Sequence, residues 1–219
     1  MKKYSNEFIY LVIISLISIF FVELRNKFYP QHSTYYFFIW NLFLAWVPYV
    51  LSILFVFINK KGFSKISSII LLPWLIFFPN TFYLISDLIH ITRTYNDSIW
   101  YHIIMIFPFV WSGIMLGSAS LNHIYSVFKN KLKFYEKTIL FQSIIFLTAL
   151  GIYLGRIPRW NSWDLIHNYM SIFSDIKKIF FAKSNDPESI IFIAGFFIIC
   201  NIVWYGISIF DNKNVIELD

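Results

Sequence analysis

The sequence predicts an all-α fold: a polytopic transmembrane bundle of about six helices, with an interfacial amphipathic helix before the last span. Three observations predict it. Six apolar runs, at about 8–22, 35–58, 66–86, 99–120, 138–155 and 189–210, contain no Lys, Arg, Asp or Glu. A hydrocarbon core about 30 Å thick takes about 20 helical residues, and a charge at its centre costs about 2.5–3.5 kcal/mol or more. The chain is 58% hydrophobic, 22% aromatic and only 14% charged, whereas soluble domains carry about 25% charged residues. Finally, 219 residues leave room for one transmembrane domain, 1–219, with short loops and no separate soluble domain.

The elements follow in order. Lys2 and Lys3 before the first run resemble a signal peptide, but Phe20-Phe21-Val22-Glu23 offers no small-residue cleavage site. An uncleaved helix that borrows flanking residues is expected. The second span enters as Trp40-Asn41-Leu42-Phe43-Leu44-Ala45-Trp46-Val47-Pro48-Tyr49. In the third, Pro79 removes an amide donor and predicts a kink or break. Asn80, Tyr83 and Asp87 follow at i, i+3 and i+7, a polar stripe on one helical face. Gly113 and Gly117 in the fourth span, with Gly151 and Gly155 in the fifth, predict close packing of those two helices.

The fifth span leaves as Gly155-Arg156-Ile157-Pro158-Arg159-Trp160-Asn161-Ser162-Trp163-Asp164. Beyond it Trp163, Ile166, Met170, Phe173, Ile176 and Phe180 recur at helical spacing. They predict a helix lying on the membrane surface, with Asn161 as N-cap and Asp164 complementing its dipole. Cys200, the lone cysteine, excludes an intramolecular disulfide and reads as a packing residue.

Six spans place both termini on one side. That side carries Lys2, Lys3, Lys60, Lys61, Lys65, Lys129, Lys131, Lys133, Lys137 and Lys213, against Arg25, Lys27, Arg93, Arg156, Arg159, Lys177, Lys178 and Lys183 on the other. Cytoplasmic loops collect the excess of Lys and Arg. The expected location is therefore a cell membrane, multi-pass, with both termini cytoplasmic. All four arginines then face outward, where a planar guanidinium can hold carboxylate or phosphate bidentately.

The segments at Trp40–Tyr49, Phe77–Leu88 and Gly151–Asp164, with their spacing and the six-span layout, resemble the bacterial membrane-protein family catalogued as domain of unknown function 1361. The resemblance spans about residues 35–165, and Gly-Arg-x-x-Arg-Trp-Asn-Ser-Trp-Asp is its most specific part. It implies a membrane location and no assigned chemistry.

Read from the residues, the expected site lies at the extracytoplasmic end of the bundle. Asp87 is the candidate acid/base, the sole catalytic candidate. Arg156 and Arg159 are candidate anion clamps, and Asn80, Asn161, Asp164 and Asn41 complete the ligand-binding set. Two guanidinium groups beside a helix start suit a lipid phosphate, a polyprenyl phosphate or a carboxylate. Equally, Arg156 or Arg159 could pair with Asp87 or Asp164, or snorkel among headgroups, and Asn80 could serve only to cap a carbonyl at the proline break.

His32, His90, His102, His123 and His167 show no ligand-like spacing, so no metal and no cofactor is expected. His90 or His102 beside Asp87 is a chemically reasonable base. There is no nucleophile elbow, His-Glu-x-x-His, phosphate loop or paired intramembrane Asp. No span carries an ionisable residue at its midpoint, which argues against coupled transport. The expected partners are membrane lipid, an anionic or lipid-linked ligand and a membrane protein; the net charge of +6 follows from topology and implies no nucleic acid. Three classes survive: a ligand site, with or without catalysis; a non-catalytic subunit or chaperone of an envelope complex; and an uncoupled lipid or solute carrier.

Overall fold

The computed structural model describes residues 2–28, 35–62, 64–92, 99–181 and 187–216. Its elements are α1 (Lys2–Phe28), α2 (Tyr36–Lys60), α3 (Ser64–Phe77), α4 (Pro79–Ser86), a 3-10 helix (Asp87–Thr92), α5 (Ile99–Phe128), α6 (Phe134–Arg156), α7 (Asp164–His167), α8 (Tyr169–Phe181) and α9 (Pro187–Ile216). No strand occurs among the described residues. Six stretches are long and apolar enough to cross a membrane: Ser5–Phe28, Tyr36–Lys60, Ser67–Ile91, Ile99–Phe128, Phe134–Arg156 and Pro187–Ile209. Helix satisfies every backbone group within its own segment, as lipid demands of a chain this apolar. The first span is longer than the apolar run alone, because α1 continues through Glu23 and Arg25 to Phe28.

The chain divides into two compact units, Met1–Ile124 and Tyr125–Asp219. In the first, α1, α2, α4 and α5 share a core that includes Leu11, Val22, Phe38, Leu42, Leu84 and Phe109. Polar bonds tie α1 in: Trp46 Nε1 donates to Ser15 Oγ at 3.0 Å, and Ser18 Oγ lies 3.3 Å from Ser112 Oγ. In lipid such interhelical bonds are worth roughly 0.6 kcal/mol on average.

The break expected at Pro79 is present. Helix α3 stops at Phe77 and α4 restarts at Pro79, with the Asn80 amide donating to the Phe77 carbonyl at 2.9 Å. Gly113 and Gly117 permit a close approach, and the element received there is α4. A Cβ at Gly113 would strike the Thr81 carbonyl oxygen, and one at Gly117 would stand 2.7 Å from the Phe82 ring and Thr81 Oγ1. Sequence spacing identifies small residues but not the helix that fills the space above them.

In the second unit, α6 and α9 run antiparallel. Tyr153 Oη and Ser189 Oγ meet at 2.6 Å, Gln142 donates to Asn201 Oδ1 at 2.8 Å, and Phe141 stacks on Trp204 with centroids 5.6 Å apart. Ile179 of α8 joins Ala149, Leu150, Tyr153 and Ile193 in the core, with Ile176 packed against it. Cys200 is buried, as expected of a packing residue.

The amphipathic segment differs from a single surface helix. Asn168 separates α7 from α8. Ile172 and Ile179 face inward while Met170, Phe173 and Phe180 remain exposed, so one broad apolar arc covers the unit on one side and is left open on the other. Helix α8 also lies along α6. Its middle is held near the end of α6 by Trp160 Nε1 donating to Asp175 Oδ2 at 3.0 Å, yet Phe180 reaches Phe146 at 6.4 Å between centroids. Phe146 lies about 15 Å back along α6 from Arg156 at 1.5 Å per residue.

Candidate functional site

At one end of the first unit, the last turn of α1, the starts of α2 and α5 and the 3-10 helix after α4 gather polar side chains. Arg25, in the last turn of α1 where its charge complements the helix dipole, is only 1% exposed. Its guanidinium lies over the Tyr35 ring at 4.5 Å, a cation–π contact that gains strength when desolvated. The Tyr35 hydroxyl lies 3.0 Å from Nε2 of His102, in the first turn of α5 and buried. Beside this pair, Phe38 stacks on Tyr35 at 5.8 Å and meets His90 edge-on at 5.8 Å.

Asp87, 0% exposed, opens the 3-10 helix. It accepts from Asn41 Nδ2 at 3.1 Å, and His90 Nε2 stands 3.9 Å from its other oxygen. With 15% of its side chain exposed, His90 is the member of this Asp–His pair that solvent or a ligand can reach. The contacts Arg25–Tyr35–Phe38–His90–Asp87–Asn41 therefore form one continuous cluster. Next to Arg25, Asn26 buries both Nδ2 and Oδ1 without a hydrogen-bond partner among the described residues. A buried amide left unbonded costs about 1–3 kcal/mol per polar group.

The sequence-predicted residues divide between the units. Asp87 and Asn41 are together in this cluster. Asn80 spends an amide hydrogen on its own helix break. In the second unit, Arg156 is half-buried at the end of α6 and Arg159 is exposed, with a left-handed φ of 65°. That conformation suits the residue just past a helix end, and Trp160 N donates to the Leu154 carbonyl at 3.0 Å to close the turn.

Asn161 does not cap the next helix with its side chain. Instead its backbone N–H and side-chain amide both donate to Asp164 Oδ2, at 2.7 and 3.1 Å. The residue at the N-cap of α7 is Trp163. Among the described residues, the side-chain hydrogen bonds of Asp164 are those it accepts from Asn161. His32 and Arg93 lie outside the described residues.

Sequence reading did not select Arg25, Asn26 or Tyr35 for the site, and it raised His102 as a base beside Asp87, not as a partner of Tyr35. The available signal was an arginine inside a helix long enough to span; ending the first span at residue 22 concealed it. No group of three or more potential metal ligands occurs among the described residues.

A family model matches residues 40–203. The chain belongs to the family described as Protein of unknown function (DUF1361). The DUF1361 match takes in Asn41, Asp87, His90 and His102 as well as Arg156–Asp164, and runs on through most of α9. Arg25, Asn26 and Tyr35 precede it. No curated protein and no solved structure matches the chain.

Proposed function

We propose that this membrane protein binds an anionic or lipid-linked ligand at the Arg25–Asp87 cluster, on the side opposite its lysine-rich ends, hence the extracytoplasmic side. The observation that supports the reading is a buried charge at the end of α1 together with unmet hydrogen-bonding capacity in the same helical turn. Asn26 buries an amide with no partner among the described residues, and Arg25, the preceding residue, is 1% exposed. Ionisable groups inside membrane-spanning helices are costly and are functional by default. Arg25 supplies permanent positive charge for phosphate or carboxylate, Asn26 a donor and an acceptor, and His90 with Asp87 an acid/base pair at the accessible edge.

The polar-pin reading, that of a subunit or chaperone of a membrane complex, is favoured by the local bonds of Asn80 to the Phe77 carbonyl and of Asn161 to Asp164.

The test is native mass spectrometry of gently solubilised protein, wild type beside Arg25→Lys and Asn26→Ala. Arg→Lys keeps the charge and removes the bidentate fork. Retention of a specific anionic lipid or metabolite by wild type, lost in both folded variants, is expected. Identical retention by all three, or none by wild type, overturns the reading and turns the search to protein partners.

A further inference from the structure

Helix α8 is 13 residues long, too short to span and of the length of a re-entrant or interfacial segment. Its contacts run down α6. Asp175 accepts from Trp160, four residues past the end of α6. One turn on, Ile179 packs with Ala149, Leu150 and Tyr153, and Phe180 meets Phe146. A helix lying flat across the end of α6 would touch it at one level only. Helix α9 then begins at Pro187, with Ser189 Oγ 2.6 Å from Tyr153 Oη, so the chain is again near the end of α6. Because α6 is long and apolar enough to cross a membrane, a helix that descends beside it shares its depth in the bilayer.

Around α8, Ile172 and Ile179 are buried, whereas Met170, Phe173, Phe180 and Phe181 are exposed. Lys177 emerges among these side chains: Phe173 and Phe181 are its i−4 and i+4 neighbours and Phe180 its i+3 neighbour, on one helical face. Lys178 Nζ donates to Asp175 Oδ1 at 2.8 Å, but Lys177 has no hydrogen bond or ion pair among the described residues. The apolar face continues onto the spans, since Phe180 meets Phe146 and Phe146 meets Phe197 of α9 at 6.3 Å between centroids. An unpaired ammonium set in such a face complements an amphiphile that carries phosphate beside hydrocarbon.

We propose that α8 is a re-entrant helix docked in the leaflet at the Arg156 end of α6, and that a phospholipid of that leaflet occupies its outer face. The phosphate meets Lys177, and an acyl chain lies along Phe173, Phe180 and Phe181. Helix geometry serves this arrangement. The Cα–Cβ bonds of a helix tilt toward its N-terminus, which for α8 is the shallow end. The Lys177 stem therefore leads back to the headgroups while its methylenes cover the aromatic rings, and the ammonium stays out of hydrocarbon, where it is costly. Lys178, already paired with Asp175, is left to fasten α8 to the turn after α6. The face uses no residue of the Arg25–Asp87 cluster.

The experiment reads depth on the full chain in nanodiscs of phosphatidylglycerol and phosphatidylcholine. Nitroxides are placed on single cysteines at Met170, Phe173 and Phe181, exposed positions that spare the core, in a Cys200→Ala background. Each is collided with oxygen, which concentrates in lipid, and with a water-soluble nickel complex. The oxygen-to-nickel ratio should rise from Met170 through Phe173 to Phe181, the outer two being about 16 Å apart along α8 at 1.5 Å per residue. Equal or falling ratios describe a helix that does not descend and overturn the proposal. Nickel access at all three sites places the face outside the bilayer, and low access to both reagents places protein on it; either result overturns the proposal too. A second measurement, phosphorus–nitrogen dipolar NMR with labelled lysine, should show a lipid phosphate contact at Lys177 Nζ that Lys177→Gln removes. A spectrum unchanged by the substitution refutes the phosphate assignment even if the depth order stands.

Discussion

The placement of Asp87 depends on how closely α4 approaches α5, and two glycines set that approach. A methyl group at Gly113 would run into the Thr81 carbonyl oxygen, a backbone atom that cannot rotate away. At Gly117 it would stand 2.7 Å from Phe82 and from Thr81 Oγ1, both in residues no more than 1% exposed. Overpacking a tight interior costs about 1–3 kcal/mol, and the rigid obstacle puts Gly113→Ala at the upper end of that range. Gly195 and Gly206, on α9, have nothing within 4 Å of the same methyl group. Alanine there should instead gain about 0.5–1 kcal/mol from lower backbone entropy.

Reversible denaturation in mixed micelles, followed by tryptophan fluorescence, measures all four. About 1–3 kcal/mol corresponds to roughly 5- to 150-fold in the unfolding equilibrium. The expected order of stability is Gly195→Ala and Gly206→Ala above wild type, then Gly117→Ala, then Gly113→Ala. If Gly113→Ala matched Gly195→Ala, α4 would not be seated on α5 as described, and the account of how Asp87 reaches Asn41 would fall with it.

Further outcomes are expected in the second unit. Arg159 holds a left-handed φ, which costs a residue with a Cβ about 1–2 kcal/mol; Arg159→Gly should raise the thermal midpoint, and an unchanged or lower midpoint would show the side chain contributing to the fold. Asp175 has its pKa lowered, first by the hydrogen bond from Lys178 and then by that from Trp160. A carboxylate with a depressed folded pKa stabilises above its unfolded value and loses that contribution as pH falls through the folded one. Docking of α8 should therefore weaken only below the ordinary carboxylate range, read as increased hydrogen exchange at Trp160. Asp175→Asn should abolish that acid step. Replacing Asn201 by Leu removes the acceptor for Gln142 and should destabilise the α6–α9 pair by about 0.6–1.7 kcal/mol, measured by the same micellar titration; no change would mean that Tyr205, 3.3 Å from Gln142, replaces the bond.

The fold was legible because lipid enforces it. A chain whose uncharged runs are long enough to span has few alternatives to helix, and Pro79 marked its own break. What the runs concealed lies at their edges. Ending the first span where the uncharged run ends placed Glu7 and Arg25 outside it, yet α1 includes both, and each is the charged centre of a polar cluster. Their partners are also far apart in sequence: Glu7 meets Tyr49 and His123, and Arg25 meets Tyr35. Periodicity within one helix cannot reveal such pairings.

The local polar motifs bond within themselves for the complementary reason. Asn161 and Asp164 sit three residues apart, and the most economical use of that spacing is the turn they make with each other. Asn80 is next to the carbonyls its proline disturbs. Polar residues close in sequence tend to satisfy one another, whereas a polar group buried alone on an apolar helix must find its partner across the bundle. In a chain this apolar, the isolated charges Arg25 and Glu7 met partners far along the sequence, whereas Asn161 and Asp164, after α6, met each other.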